Sequence, residues 1–387
     1  MIKSAQKDKF SLPENITYLN TAYSAPLSRA AEKTGIAALK KKCNPSVYTV
    51  DDFFKPVEEL KTLFARLIAA PDPKSIAIIP SVSYGIANVA NNICLKANDE
   101  IVVVGEQFPS NVYSWKRIAD KYGAEIISVN TPDTYKNRGK LWNEKILDAI
   151  NKRTALVAMP NVHWADGTLF DLKAIRKKTT DNNALLIIDG TQSVGALPFS
   201  VKEIQPDAVI CAGYKWLMGP YSIGLAYYGE HFNDGIPIEE NWINRKESEN
   251  FSNLVNYRDE YKEGANRYSV GEMSNFNLVP MLTCTVKQLL EWEPENIQDY
   301  CNKITGEAIE ELREMHCFIE EDAYRAKHLF GVKLADNMDM ERLQEELRDS
   351  NIIVSVRGNY IRVSPHVFNT KEDLEKLVNC FRLSISF

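Results

Sequence analysis

The chain has 387 residues, 44% hydrophobic and 25% charged, an ordinary balance for a globular protein and more length than one core usually holds, so two domains are expected. Its 46 basic against 52 acidic residues give a formal charge of −6 without a long basic stretch, which excludes nucleic acid as an expected partner. The polar start from Met1 to Phe10 lacks an apolar signal core, no apolar run reaches the length of a membrane span, and the seven cysteines are scattered without a CxxC pair. A cytoplasmic protein with reduced thiols, no disulfide framework and no metal site is expected.

In chain order, short apolar runs alternate with amphipathic segments from Ser75 to Tyr228. Ile76 to Ile79 precedes a helical pattern over Tyr84 to Leu95; Ile101 to Val104 precedes Asn111 to Tyr122; Ala155 to Met159 precedes Leu172 to Lys178. Leu185 to Ile188, Ala208 to Ala212 and Ile223 to Tyr228 continue the strands. Such alternation predicts an α/β fold with a mostly parallel sheet covered by helices. Between His231 and Tyr268 the periodicity fades into a polar stretch, read either as a functional or interface segment or as a solvated excursion.

The last third reads as a smaller α/β unit. Ile352 to Val356 and Tyr360 to Ser364 flank Arg357-Gly358-Asn359, a hairpin turn, and alternation puts Ile361 and Val363 on one face with Arg362 on the other, free to leave the core for a cleft. Thr370 with Asp373 makes a capping box for a helix carrying Leu374, Leu377, Val378 and Phe381.

Chemistry gathers at the strand ends. The run Ala184 to Ile188 ends in Asp189-Gly190-Thr191-Gln192, and the run Ala208 to Ala212 ends in Gly213-Tyr214-Lys215-Trp216. In open α/β sheets ligands bind beyond the carboxyl ends of strands. A lysine and an acid there are what pyridoxal phosphate requires, the amine for a Schiff base and the carboxylate to keep the pyridine nitrogen protonated. Ser81-Val82-Ser83-Tyr84-Gly85 offers hydroxyls and N–H groups at a helix start, a site for a phosphate.

From Tyr18-Leu19-Asn20-Thr21-Ala22, through Asp189-Gly190-Thr191-Gln192 and Tyr214-Lys215, to Ile361-Arg362-Val363-Ser364-Pro365, the chain resembles the class V aminotransferase family of pyridoxal phosphate enzymes. That family includes cysteine desulfurases, selenocysteine lyases, kynureninases and isopenicillin N epimerases. The resemblance implies fold type I, with residues 1–35 contributing to the small domain and the substrate mouth, 36–280 forming the large cofactor-binding domain, and 281–387 the small C-terminal domain. It implies a homodimer acting on an amino acid.

By the same resemblance, Lys215 forms the Schiff base and then moves protons, Asp189 pairs with the pyridinium, and Gln192 hydrogen-bonds the cofactor's phenolic oxygen. Ser83 and Tyr214 face the phosphate, and Phe108 of Phe108-Pro109-Ser110-Asn111 stacks on the ring. Arg362 binds the substrate carboxylate, while Asn20, Ala22 and Tyr23 line the mouth. His163, in His163-Trp164-Ala165-Asp166-Gly167-Thr168, is a second-tier candidate for a substrate-side acid or base. A relative's phosphate-binding Thr is replaced here by Glu272, so that contact passes to Ser274 or is missing.

A cysteine desulfurase needs a mobile Cys before the carboxylate-binding Arg, and residues 351–362 contain none. Persulfide chemistry is disfavoured. Transamination of a small or medium L-amino acid is the expected reaction, with a lyase (β-elimination or Cβ cleavage) or an epimerase as alternatives. A cofactor-binding regulator without turnover is the non-enzymatic alternative.

Overall fold

The computed structural model describes residues 2–385. Among the described residues twelve strands are formed: β1 (Thr17–Tyr18), β2 (Ile76–Ile79), β3 (Glu100–Val104), β4 (Glu125–Val129), β5 (Thr154–Pro160), β6 (Leu185–Asp189), β7 (Ala208–Ala212), β8 (Gly224–Tyr228), β9 (Phe330–Lys333), β10 (Ile352–Ile353), β11 (Ser355–Arg357) and β12 (Tyr360–Val363). Seven of them make one sheet in the order β2-β8-β7-β6-β5-β3-β4. The pairs β7·β6, β6·β5, β5·β3 and β3·β4 are parallel, whereas β8 runs antiparallel to both its neighbours. The expected mostly parallel sheet is therefore present, with one reversed strand.

Both faces of this sheet are covered, which is why its strands read as apolar runs. Ile78, Val102, Val157, Ile188 and Val209 enter one core; Ile79, Val103, Ala158, Ile187 and Ile210 enter the other. Helices Val82–Asn91, Tyr113–Tyr122, Arg138–Ala149 and Leu172–Asp181 connect successive strands. Strand β4 escaped the sequence reading because it is the sheet edge and its Glu125, Ile126, Ile127 and Ser128 are only partly buried or exposed, so no continuous apolar run marks it.

The stretch 231–268 forms no α-helix or strand. Its middle is exposed, with Tyr257 93% accessible, but its end is structural. Tyr268 is buried against Tyr228, and just beyond it Ile78 N donates to Ser269 Oγ at 3.1 Å while Val270 N donates to Ile78 O at 3.0 Å. The segment thereby covers the open edge of β2, where unpaired backbone groups would otherwise remain.

A second, three-stranded antiparallel sheet, β11-β12-β9, forms the C-terminal unit, and helix Lys371–Leu383 begins with the expected Thr370/Asp373 capping box. The N-terminus joins this unit through β1, which pairs in parallel with β10. The boundaries expected at 35/36 and 280/281 fall inside helices Arg29–Lys42 and Leu278–Trp292.

Candidate active site

The carboxyl ends of β2, β3, β5, β6 and β7 and the start of β8 enclose a cleft of about 240 Å³ in which Ser83, Phe108, Asp189, Gln192, Tyr214 and Lys215 come together. These residues are spread over 133 positions of sequence, and the shared direction of the parallel strands is what collects them.

Lys215 emerges from the β7–β8 connection. Gly213 N donates to Ile223 O at 2.9 Å, and a Cβ on Gly213 would lie 2.4 Å from that oxygen, so only glycine lets the loop close onto β8. Gly219 N closes the loop on Gly213 O at 2.7 Å. The lysine side chain is 7% exposed, with Nζ 5.3 Å from the Phe108 ring centre and 5.7 Å from that of Tyr214. Burial lowers its pKa to about 8; Asp189 opposes that shift, and Arg362 and Arg357 add to it.

Asp189 ends β6 and accepts from Thr191 N at 3.0 Å, while Thr191 Oγ1 accepts from Ala212 N at 3.2 Å and so ties β6 to β7. Burial pushes the Asp189 carboxyl up, against the opposing pull of Thr191 and Lys215. A cationic partner above it would relieve that cost.

Ser81 caps helix Val82–Asn91 by accepting from Tyr84 N at 3.2 Å, and Ser83 Oγ lies 3.0 Å from Ser81 Oγ. A Cβ on Gly85 would meet Ile210 Cγ2 at 2.7 Å; the missing side chain lets the helix lie against β7 with its first turn at the cleft. Free N–H groups of that turn and two hydroxyls make an anion cradle.

Gln192 is fixed on three sides. Its Nε2 donates to Ala22 O at 3.1 Å, its Oε1 accepts from Trp216 Nε1 at 2.8 Å, and its carbonyl accepts from His328 Nε2 at 2.8 Å. His328 Nδ1 meets the amide nitrogen of Gln298 at 2.7 Å and must accept there, which leaves the ring hydrogen on Nε2. One hydrogen of the Gln192 amide stays available to the cleft.

The N-terminal candidates bridge the cleft floor to the C-terminal unit. Asn20 Oδ1 accepts from Ser355 Oγ at 2.8 Å, Ala22 N donates to Ser364 Oγ at 3.0 Å, and Tyr23 is 61% exposed. Arg362 is fully buried, not extended to the cleft surface as its alternation suggested. Its Nη1 donates to Trp164 O at 2.9 Å and its Nη2 makes a long contact of 3.5 Å with Ser355 Oγ. Trp164 lines the cleft, and the Arg362 guanidinium carbon lies 6.0 Å from its ring centre.

His163 must be moved out of the substrate group. Val162 and Trp164 line the cleft, and the intervening side chain points the other way, where it is 1% exposed against Trp142. His163 Nδ1 lies 3.1 Å from Asp166 Oδ1, Arg138 Nη2 is 2.5 Å from Asp166 Oδ2, and Arg138 Nη1 is 2.8 Å from Glu320. Burial would raise the Asp166 carboxyl, but His163, Arg138 and the Thr168 N–H together hold it well below the usual range. This network ties residues 163–168 to the C-terminal unit, as do the bonds from Gly331 N to Asp166 O (2.9 Å) and Ala326 N to Gly167 O (3.0 Å). Glu272 and Ser274 line a separate depression with Trp242 and Phe276, and Ser274 Oγ donates to Phe53 O at 2.5 Å.

Sequence reasoning missed Thr191, Trp164, Tyr221 and Ser222 as cleft residues. Thr191 was readable from its place between Asp189 and Gln192. Tyr221 and Ser222 lie on the loop closing back to β8, whose path depends on Gly213, and no local pattern marks them.

The residues present fit pyridoxal phosphate: an unpaired buried amine, a buried carboxylate short of partners, a helix-start cradle and a flat phenylalanine stand around one cleft. The chain is 25% identical to the uncharacterized aminotransferase YcbU of Bacillus subtilis over 93% of its length and 90% of that protein's. It is 23% identical to a kynureninase of Geobacillus thermodenitrificans, covering 93% and 86% of the two chains. Among solved structures, a mutant of C-DES with glycine covalently linked to its pyridoxal phosphate superposes with a TM-score of 0.86 at 18% identity, covering 98% of this chain and 99% of the other. Residues 42–386 match the family model for aminotransferase class-V, and the chain belongs to that pyridoxal-phosphate-dependent family.

Proposed function

We propose that the protein binds pyridoxal phosphate through Lys215 and acts at the Cα of an L-amino acid, with transamination as its reaction. Bound in the cleft, the cofactor supplies an electron sink for a bond broken at the substrate Cα. Ser81, Ser83 and the first turn of helix Val82–Asn91 hold its phosphate, Asp189 holds the pyridine proton, Phe108 fixes the ring plane, and Gln192 donates to the phenolic oxygen. Arg362 takes the substrate carboxylate, which a planar guanidinium matches with two parallel hydrogen bonds.

The observation that carries transamination is the single base. With His163 turned into the core, Lys215 is the basic nitrogen among the cleft-lining side chains. Its pKa of about 8 suits a group that takes a proton from one atom and returns it to a nearby one. Transamination needs one such base, whereas epimerisation through two faces or hydrolytic Cβ cleavage calls for a second acid–base group. A β-elimination is the second reading, favoured by Tyr214: burial, then Tyr221 and Asp189, raise its phenol, which stays protonated and able to donate to a leaving group. We further propose that the active form is a homodimer, as the family resemblance implies.

Purified holoenzyme offered single L-amino acids decides between these readings. Conversion of the cofactor to its amine form with release of a 2-oxo acid and no ammonia supports transamination. Ammonia with pyruvate or sulfide, the cofactor unchanged, replaces it with elimination. An unaltered cofactor spectrum with no 2-oxo acid, no ammonia and no change of configuration across the whole panel refutes amino-acid chemistry and leaves a cofactor-binding regulator.

A further inference from the structure

Arg357 was legible only as a turn residue, yet the sheet register sets it on the hairpin face that carries Arg362. In the antiparallel pair β11·β12, Ser355 lies opposite Arg362, Val356 opposite Ile361 and Arg357 opposite Tyr360. By two-residue alternation Ser355, Arg357, Tyr360 and Arg362 share one face of the hairpin, and Val356 and Ile361 share the other. The guanidinium carbons of Arg357 and Arg362 lie 5.4 Å and 6.0 Å from the ring centre of Trp164, which lines the cleft.

Two guanidiniums around one indole need a reason, because like charges this close repel and each loses hydration. The hydrogen bonds they make go to neutral oxygens: Arg357 Nη1 to Val356 O at 2.7 Å, Arg362 Nη1 to Trp164 O and Nη2 to Ser355 Oγ. The Nε atoms of both are buried without a partner. Burial, and then the charge of Arg357, pulls Arg362 down to about 9, and both arginines also depress Lys215. A hairpin arginine with no ligand to meet would turn its head to water; this one is half-buried against the wall of the cleft.

A ligand with one carboxylate satisfies one guanidinium and leaves the other uncompensated. We propose that Arg357 is a second anion-binding residue which selects L-amino acids carrying a distal carboxylate, Arg362 taking the α-carboxylate and Arg357 the acid at the far end. This rests on the reading that the cleft processes L-amino acids. The distal acid belongs either to a short dicarboxylic amino acid or to a disulfide-linked diamino diacid; Arg357 meets the same chemistry in both.

The test compares acids with their amides, which keep the shape and lose the charge. In the holoenzyme, kcat/KM for L-aspartate or L-glutamate is expected to exceed that for L-asparagine or L-glutamine by roughly tenfold or more, as for a charge-assisted hydrogen bond. L-cystine against L-alanine tests the longer diacid. Arg357→Gln brings the acid-to-amide ratio close to one, mainly through KM. A ratio near one in the wild type for both diacid lengths, or an undiminished ratio in the variant, overturns the proposal. The cofactor-free protein gives an independent readout: succinate raises its Tm more than butyrate does, and Arg357→Gln removes that difference. If no amino acid reacts, the amino-acid reading fails, and the succinate measurement alone upholds or overturns the role of Arg357.

Discussion

At the strand ends, Asp189 accepts from Thr191, Gln192 is held through both ends of its amide and its carbonyl, and Ser81 caps the helix beside it. Across the cleft, on the β11·β12 hairpin, Arg357 and Arg362 have buried Nε atoms without partners. The first region is organised before anything binds, and its polar groups are aimed by bonds that a ligand need not break. The second carries charge whose desolvation is left uncompensated. The difference matches the two kinds of ligand proposed: a resident cofactor below, and above it a substrate that arrives and leaves, for which spare donors are useful because they strengthen only while it is bound.

The largest effect is expected from removing the amine of the lower region. Lys215→Ala should lower turnover by roughly 10²–10⁴-fold, the range for a positioned proton-transfer group, and should abolish borohydride-dependent attachment of the cofactor. Mass spectrometry after reduction checks this, and persistent attachment in the variant would show that the resident-ligand side of the comparison is misassigned.

Between the two regions lies the Arg138–Asp166–Glu320 network, which fastens the Trp164 loop to the C-terminal unit. Arg138→Met leaves buried Glu320 without its cationic partner and Asp166 with His163 and the Thr168 N–H only, and should cost about 3–5 kcal/mol in urea unfolding, far beyond a surface ion pair. A cost below about 1 kcal/mol would mean that the network is hydrated and that the two regions are not coupled through it.

A finer probe is Trp216→Phe. It keeps an aromatic ring against His328, 4.3 Å away in the native packing, and deletes the N–H that holds Gln192 Oε1. Leaving that oxygen buried and unpaired should cost about 1–3 kcal/mol and shift the absorption maximum of the bound cofactor as the Gln192 amide reorients. A stability loss with an unmoved spectrum would separate packing from positioning.

The smallest effect is a displaced pH profile. The free-base amine is the form that captures an aldehyde, and burial lowers the Lys215 pKa to about 8 from the ordinary 10.5. Cofactor loading of the cofactor-free protein should therefore quicken as pH rises to about 8 and level off above it. A rate still climbing at pH 10 would contradict the buried environment of the lower region.

Much of the lower region was legible because strands buried on both faces leave unbroken apolar runs, and the residues just after those runs, Asp189 and Lys215, fall where such sheets bind ligands. The edge strand β4 was not, since an edge has no second neighbour and its mixed polarity carries no run. His163 was misread because the sequence offered its chemistry without its direction; Val162 and Trp164 take the cleft side and leave it the core.

By itself, the sequence determined the alternating α/β order, the capped helix at Thr370, and the lysine, acid and helix-start hydroxyls of the lower region, because each is a local pattern with a local cause. Tertiary structure alone decided that Arg357 shares a hairpin face with Arg362, that both guanidiniums pack by Trp164 of the cleft lining, and that Trp216 and His328 hold Gln192. Those facts depend on strand register and on contacts between residues as much as 198 positions apart, which no sequence period encodes.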